Sequence, residues 1–131
     1  MGALRLLLDT HAFIWWLDDD HRLSATARAG IADTRNTIYV SSATAWEMAT
    51  KVRLGKLKDP AGAVPRLGKV LAERRMVELP ITVAHAALAG SLPGPHRDPF
   101  DRMLIAQGRI EDLPLVTNDA VFQRYDVPVV W

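Results

Sequence analysis

Leu4-Arg5-Leu6-Leu7-Leu8 is a nearly continuous apolar run that stops abruptly at Asp9, and Thr10-His11 lead at once into Ala12-Phe13-Ile14-Trp15-Trp16-Leu17, which has a helix-like pattern. Unbroken apolarity over so few residues suits a strand buried on both faces, as in the centre of a parallel sheet. A carboxylate at the carboxyl end of such a strand sits where open α/β sheets bind their ligands. The simpler role for Asp9 is N-cap of the helix that follows, since Asp is a favoured cap. The first strand poses this choice, and the rest of the chain weighs on it.

The alternation continues to the end of the chain. Ser24 caps a helix predicted to run to about Thr34, Thr37-Ile38-Tyr39-Val40 is a second strand, and Ser41-Ser42 open a helix that Gly55 closes. A loop at residues 56–60 leads to a helix ending near Arg75, with Pro65 delaying its start. Met76 to Leu79 is a third strand, and Thr82 caps a helix to about Gly90. Residues 92–97 are the longest loop signal, with two prolines and a glycine. Asp98-Pro99 start a helix to about Glu111, Leu115-Val116-Thr117 form a fourth strand, and Val127 to Val130 a short fifth. Strands alternating with helices predict a three-layer α/β/α sandwich around a parallel sheet of four to five strands. The length of 131 residues, without internal repeat or linker, predicts one domain over residues 1–131.

Composition removes several classes of function. There is no cysteine, which rules out a thiolate metal site, a cysteine nucleophile and a disulfide scaffold, and fits a reducing cytoplasm. No apolar stretch is long enough to span a bilayer, and the amino-terminal run lacks the charged region and long apolar core of a signal peptide. Net charge is only +1, but residues 47–75 hold eight Lys or Arg against three acids. Lys51, Arg53, Lys56 and Lys58 in that stretch are candidate phosphate contacts, or simply a solvated face.

Four acids fall just past a predicted strand or at the mouth of the next helix: Asp9, Glu47, Asp101 and Asp119. Each has a local explanation. Thr44-Ala45-Trp46-Glu47 spells a capping box, Asp98-Pro99-Phe100-Asp101 reads as cap, Pro at N1 and a dipole-favoured acid, and Asn118-Asp119 reads as a turn or cap. Together they say more, because a parallel sheet carries all its strand ends on one edge. Clustered carboxylates repel and raise one another's pKa unless a cation neutralises them. Mg2+ or Mn2+ suits an all-oxygen donor set, and such a site can activate water for in-line phosphoryl displacement.

Four segments, in order, make the chain resemble the PIN-domain family, and within it the VapC-type ribonuclease toxins of bacterial toxin–antitoxin pairs. They are residues 6–12 (LLLDTHA), 42–49 (SATAWEMA) with Lys51 and Gly55-Lys56-Leu57, 96–107 (HRDPFDRMLIAQ) and 115–119 (LVTND). The resemblance implies a Mg2+- or Mn2+-dependent endoribonuclease with Asp9, Glu47, Asp101 and Asp119 at the metal. It also implies a homodimer and neutralisation by a small antitoxin whose tail occupies the groove. Thr10 and Thr117 match positions beside the acids that orient them or a bound water, and Asp98 is placed as cap or outer support. Arg97 is a candidate for phosphate contact, while His96 reads as a loop histidine rather than a general base. Trp15, Trp16 and Trp46 read as core or interface residues before base-stacking ones, and His11 and His85 as structural. Two rivals remain. A haloacid-dehalogenase-type phosphohydrolase needs a second acid at the place of His11 and fails there. A catalytically inactive RNA- or protein-binding module has no need of all four acids.

Overall fold

The computed structural model describes residues 3–131, so Met1 and Gly2 of the expected domain lie outside the described residues. Five strands form one sheet: β1 (Arg5–Leu8), β2 (Thr37–Ser41), β3 (Val77–Leu79), β4 (Leu115–Val116) and β5 (Val129–Val130). Every pairing is parallel, and the order across the sheet is β3-β2-β1-β4-β5. Strand β1 is therefore central. The chain builds outward from it through β2 and β3, then returns to its other side for β4 and β5. That reversal makes the gap between β1 and β4 the switch point of the sheet, where an open α/β fold leaves a crevice at the strands' carboxyl ends.

The apolar run of β1 explains its place. Leu6, Leu7 and Leu8 are all fully buried, and the two-residue period divides them between two cores. Leu6 and Leu8 pack with Phe13, Ile14 and Leu17 of α1 (Thr10–Leu17), with Ala27 and Ile31 of α2 (Ala25–Ala32), and with Val70 and Leu71 of α4 (Leu67–Glu73). Leu7 faces the opposite layer, against Leu104 and Ile105 of α6 (Pro99–Ile110), and Leu92, which follows α5 (Val83–Ser91). Each such side chain contributes about 1.5–3 kcal/mol through burial. The expected three-layer sandwich with a parallel sheet is thus present, and all five strands are real.

Local differences have local causes. Helix α3 spans Ser42–Arg53 with Ser41 as its N-cap, and Gly55 follows it at φ +73°. Pro65 does delay the next helix: single 3-10 turns at Pro60–Gly62 and Val64–Arg66 precede α4, which ends at Glu73. A 3-10 helix at Ala120–Tyr125 was not foreseen. It is capped by Asp119 and buries Phe122 and Tyr125, side chains that no strand or α-helix period marks in the sequence. On the α5–α6 side, the buried His85 completes a capping box with Thr82 and sets Nε2 2.8 Å from Glu111 Oε2, a structural role as expected.

Candidate active site

Asp9 is the N-cap of α1: its Oδ1 accepts from the Ala12 N–H at 2.7 Å. Its own N–H donates to the Val116 carbonyl at 3.1 Å, which fixes the residue at the β1–β4 gap beside Thr117. The cap and the site are therefore one residue, and the choice posed by the sequence dissolves. Burial raises the pKa of Asp9. The Thr117 hydroxyl, the Ala12 N–H and nearby His11 pull it down, and the charge of Asp119 pushes it further up. Asp119 lies across the switch point after β4. Its Oδ1 accepts from the Val121 N–H at 3.0 Å, and its own N–H donates to Thr117 Oγ1 at 3.0 Å.

Glu47 lies one and a half turns into α3, buried although it is charged. It does not close a capping box with Thr44, because the helix has already started at Ser42, two residues before Thr44, and its N-cap is Ser41. Instead Glu47 Oε1 accepts from Thr10 Oγ1 at 2.7 Å, and Oε2 pairs with the Lys51 ammonium one turn on, at 2.5 Å. Thr10 spends its single hydroxyl hydrogen on Glu47, so the Thr44 hydroxyl donates to Thr10 at 3.2 Å. Thr10, the residue after Asp9, thus ties the start of α1 to Glu47.

Asp101 sits in the first turn of α6, and Asp98 is that helix's N-cap, accepting from the Phe100 and Asp101 N–H groups. Asp101 Oδ2 meets His96 Nε2 at 2.8 Å. Its pKa is pushed up to about 6, first by burial and then by the charges of Asp98 and Glu47, with His96 acting against the rise. The four acids therefore fall into two neighbouring pairs, Asp9 with Asp119 and Asp101 with Glu47, and Asp98 stands beside Asp101 as well.

Among the described residues, no three carboxylate or imidazole groups stand close enough to hold one ion as they are placed. Mg2+ takes oxygen ligands, one or two of them carboxylates, and keeps several waters. Two observations fit a divalent cation here. The donors are all oxygens, and the pKa values of Asp9 and Asp101 are both raised, first by burial and to a lesser degree by neighbouring carboxylates, so a cation there would offset a cost of ionisation.

The remaining candidates separate. Lys51 is engaged with Glu47, whereas Arg53, Lys56 and Lys58 are exposed beyond it. Arg97 is exposed on the 92–97 loop. Arg102 is occupied: its guanidinium donates to the carbonyls of Ala89, Leu92 and His96 at 2.9, 2.5 and 3.0 Å, tying that loop to α5 and α6. Trp15 and Trp16 pack on the first core, but Trp46 is 62% exposed, edge-on to Phe100, so core packing fails for it. His11 is exposed and stacks on Trp15. Two groups named in the sequence make contacts at the acids that the sequence does not predict, Thr44 with Thr10 and His96 with Asp101. Thr44 was signalled by its i,i+3 spacing to Glu47 on one helix face. His96 carried no such signal, because it meets Asp101 through the fold of a loop.

Known proteins share this fold. The PIN domain profile matches residues 6–128. Ribonuclease VapC16 of Mycobacterium tuberculosis is 40% identical over 72 residues, covering 52% of this chain and 50% of that protein, so the match spans about half the length of the curated relative. The fold is similar to that in the crystal structure of VapBC2 from Rickettsia felis bound to a DNA fragment from their promoter. That chain is 18% identical with a TM-score of 0.68, and 96% of each chain is covered. It is also similar to Mycobacterium tuberculosis VapC20, described as a Sarcin-Ricin loop cleaving toxin. Here identity is 16% and the TM-score 0.66, over 93% of this chain and 95% of that one. With the profile covering nearly all of the sequence, the chain belongs to the PIN-domain family.

Proposed function

We propose that this chain is a metal-dependent endoribonuclease, acting as a single domain over residues 1–131, and the toxin of a toxin–antitoxin pair. The observation that carries the reading is the placing of Asp9 and Asp119 on either side of the β1–β4 switch point, with Glu47 tied to Thr10 beside them. Kinship with Ribonuclease VapC16 supports RNA as substrate, and likeness to a VapBC assembly supports an antitoxin partner.

Asp9, Glu47, Asp101 and Asp119 are the residues that would hold Mg2+ or Mn2+. A divalent ion bound there supplies charge neutralisation for the carboxylates and the scissile phosphate, and lowers the pKa of an attacking water. The chain's own residues orient the donors. The Ala12 N–H fixes one oxygen of Asp9, leaving the other free to turn to the crevice. Thr10 and Lys51 hold the two oxygens of Glu47, and His96 holds one oxygen of Asp101. Thr117 lies beside Asp9 and Asp119 and orients both. Arg97, exposed beside the site, and Arg53, Lys56 and Lys58 beyond Lys51, supply cations for the phosphates that flank the cut. The protein works as a homodimer in the cytoplasm; no helix among the described residues is long and apolar enough to cross a membrane.

The test is RNA cleavage with and without Mg2+ or Mn2+, for the unsubstituted protein and for Asp9→Asn. Asparagine keeps an oxygen to accept from the Ala12 N–H, so the helix cap survives. The expected result is metal-dependent cleavage that Asp9→Asn lowers by a factor on the order of 10^2–10^3, the usual loss when one preorganised electrostatic group is removed. RNA binding without cleavage in either protein, at any metal concentration, would instead mark an inactive binding module.

A further inference from the structure

Behind the 92–97 loop lies a cavity of about 480 Å³ that the four acids do not use. Its walls come from three places in the sequence: Pro93 to His96 of the loop, Arg109 near the end of α6, and Val121 with Arg124, Tyr125 and Asp126 at the end of the 3-10 helix. Its size falls within the range of small-molecule sites. The lining is largely apolar, with two guanidinium groups and one carboxylate at its rim. Arg109 and Arg124 are both exposed, and among the described residues neither has a carboxylate within ion-pair distance, unlike Arg22, Arg28 and Arg35, which all do.

The cavity is joined to the acids by a single residue. His96 lines it, its backbone N–H donates to Tyr125 Oη at 3.2 Å, and its ring reaches Asp101. The close fit of the loop against Tyr125 is built in at Gly94. Its φ is +106°, and a Cβ there would come within 2.7 Å of Tyr125 Oη. An apolar floor with free guanidinium groups, one residue from a phosphodiester-cleaving centre, has the chemistry of a nucleotide unit. Prolines and an aromatic ring offer faces to a base, arginine planes stack on bases, and guanidinium forks take phosphate oxygens.

We infer that this cavity is a nucleotide subsite, taking the base and phosphate of a single-stranded RNA unit adjacent to the scissile phosphate. Arg109 and Arg124 hold the phosphate, and the base lies over Val121, Tyr125 and the prolines. The inference rests on the endoribonuclease reading for the identity of its ligand, and its test is separate from cleavage.

The experiment measures binding of a short, mixed-sequence single-stranded RNA by fluorescence anisotropy against salt, in Asp9→Asn protein at fixed Mg2+. Arg109→Ala and Arg124→Ala are each expected to weaken binding and to reduce the slope of log affinity against log salt by about 0.7, the value for one lost single-strand phosphate contact. Val121→Phe, which fills the floor, is expected to weaken binding several-fold with the slope unchanged, because it removes room for a base and no charge. Arg35→Ala removes a cation from the turn before β2, at the opposite edge of the sheet, and should leave the slope alone. Slopes unchanged in both pocket variants, or an equal fall with Arg35→Ala, would overturn the subsite, as would an absence of RNA binding. Cleavage by unsubstituted protein is scored on its own. Cleavage with unchanged pocket slopes refutes the subsite only, and slope losses without any cleavage refute the enzymatic reading only.

Discussion

The two pairs of carboxylates at the sheet edge are held in different ways. Asp9 and Asp119 are fixed by backbone: each caps a helical turn, and each lies beside Thr117 between β1 and β4. Glu47 and Asp101 are fixed by side chains, Thr10 and Lys51 for one and His96 for the other. Backbone partners come with the fold and cannot be turned away without breaking it. Side-chain partners can rotate off. The first pair is thus a fixed half of the candidate site, and the second is an adjustable half whose partners would have to give way or share if it took a metal or phosphate.

The largest test of that contrast is Asp101→Asn. Asp101 is only about one-fifth exposed, and its pKa in the folded protein is about 6 against an ordinary 3.8. Above pH 6 the folded chain carries a charge it disfavours, so ionisation costs stability. Below about pH 4 the carboxyl is neutral in both states and the cost is gone. Asp101→Asn should therefore stabilise the metal-free protein above pH 6 by up to about 3 kcal/mol. The gain should fade as pH drops from 6 to 4, as urea titrations across that range would record. Added Mg2+ should raise the melting temperature of the unsubstituted protein more than the variant's. A gain that persists at pH 4 would remove the electrostatic explanation.

Thr10 bridges the halves, and Thr10→Val keeps its shape while deleting the hydroxyl that Glu47 and Thr44 both use. Loss of such an outer support lowers metal affinity or activity by about 10–100-fold. Metal titration followed by melting temperature, beside cleavage rates, should show that loss. A variant with unchanged affinity and rate would mean that the adjustable half needs no anchor on the fixed one.

The smallest expected effect belongs to Lys51. Because its ammonium is already engaged with Glu47, Lys51→Ala should change the salt dependence of RNA binding less than Arg53→Ala, Lys56→Ala or Lys58→Ala, each of which should lower the slope by about 0.7 if it meets a phosphate. Equal slopes for all four variants would show that Lys51 leaves Glu47 for RNA.

The fixed half was far easier to see in the sequence than the adjustable half. Asp9 announces itself because an apolar strand ends on it, and Asp119 because a turn follows β-branched residues. Both signals are local, and so are the bonds that hold these residues. Glu47 was singled out, but its local reading as a capping-box partner of Thr44 was wrong. Ser41 starts the helix first, and Glu47 is bound by Thr10, 37 positions away. The contact of His96 with Asp101 depends on the path of a proline-rich loop, which no periodicity records. Tyr125 drew no reading from the sequence because a 3-10 turn has neither the strand nor the α-helix period, yet it forms part of the second core. The fold was legible for the same reason that Asp9 was: five short apolar segments separated by capped helices leave few arrangements.

The three carbonyls gathered by Arg102 bear on how quickly a substrate is captured. A loop that stays unfolded until its ligand arrives must be ordered at that moment, which slows association and weakens affinity. Here one guanidinium has already fastened residues 92 and 96 to the ends of α5 and α6, and Tyr125 holds His96 from below. The entropy of arranging that stretch is spent during folding, once per protein molecule and not once per encounter. Capture then becomes docking against a preset surface, its rate set by diffusion and charge, and a change of specificity has to come from replacing side chains on the loop rather than from altering its motion.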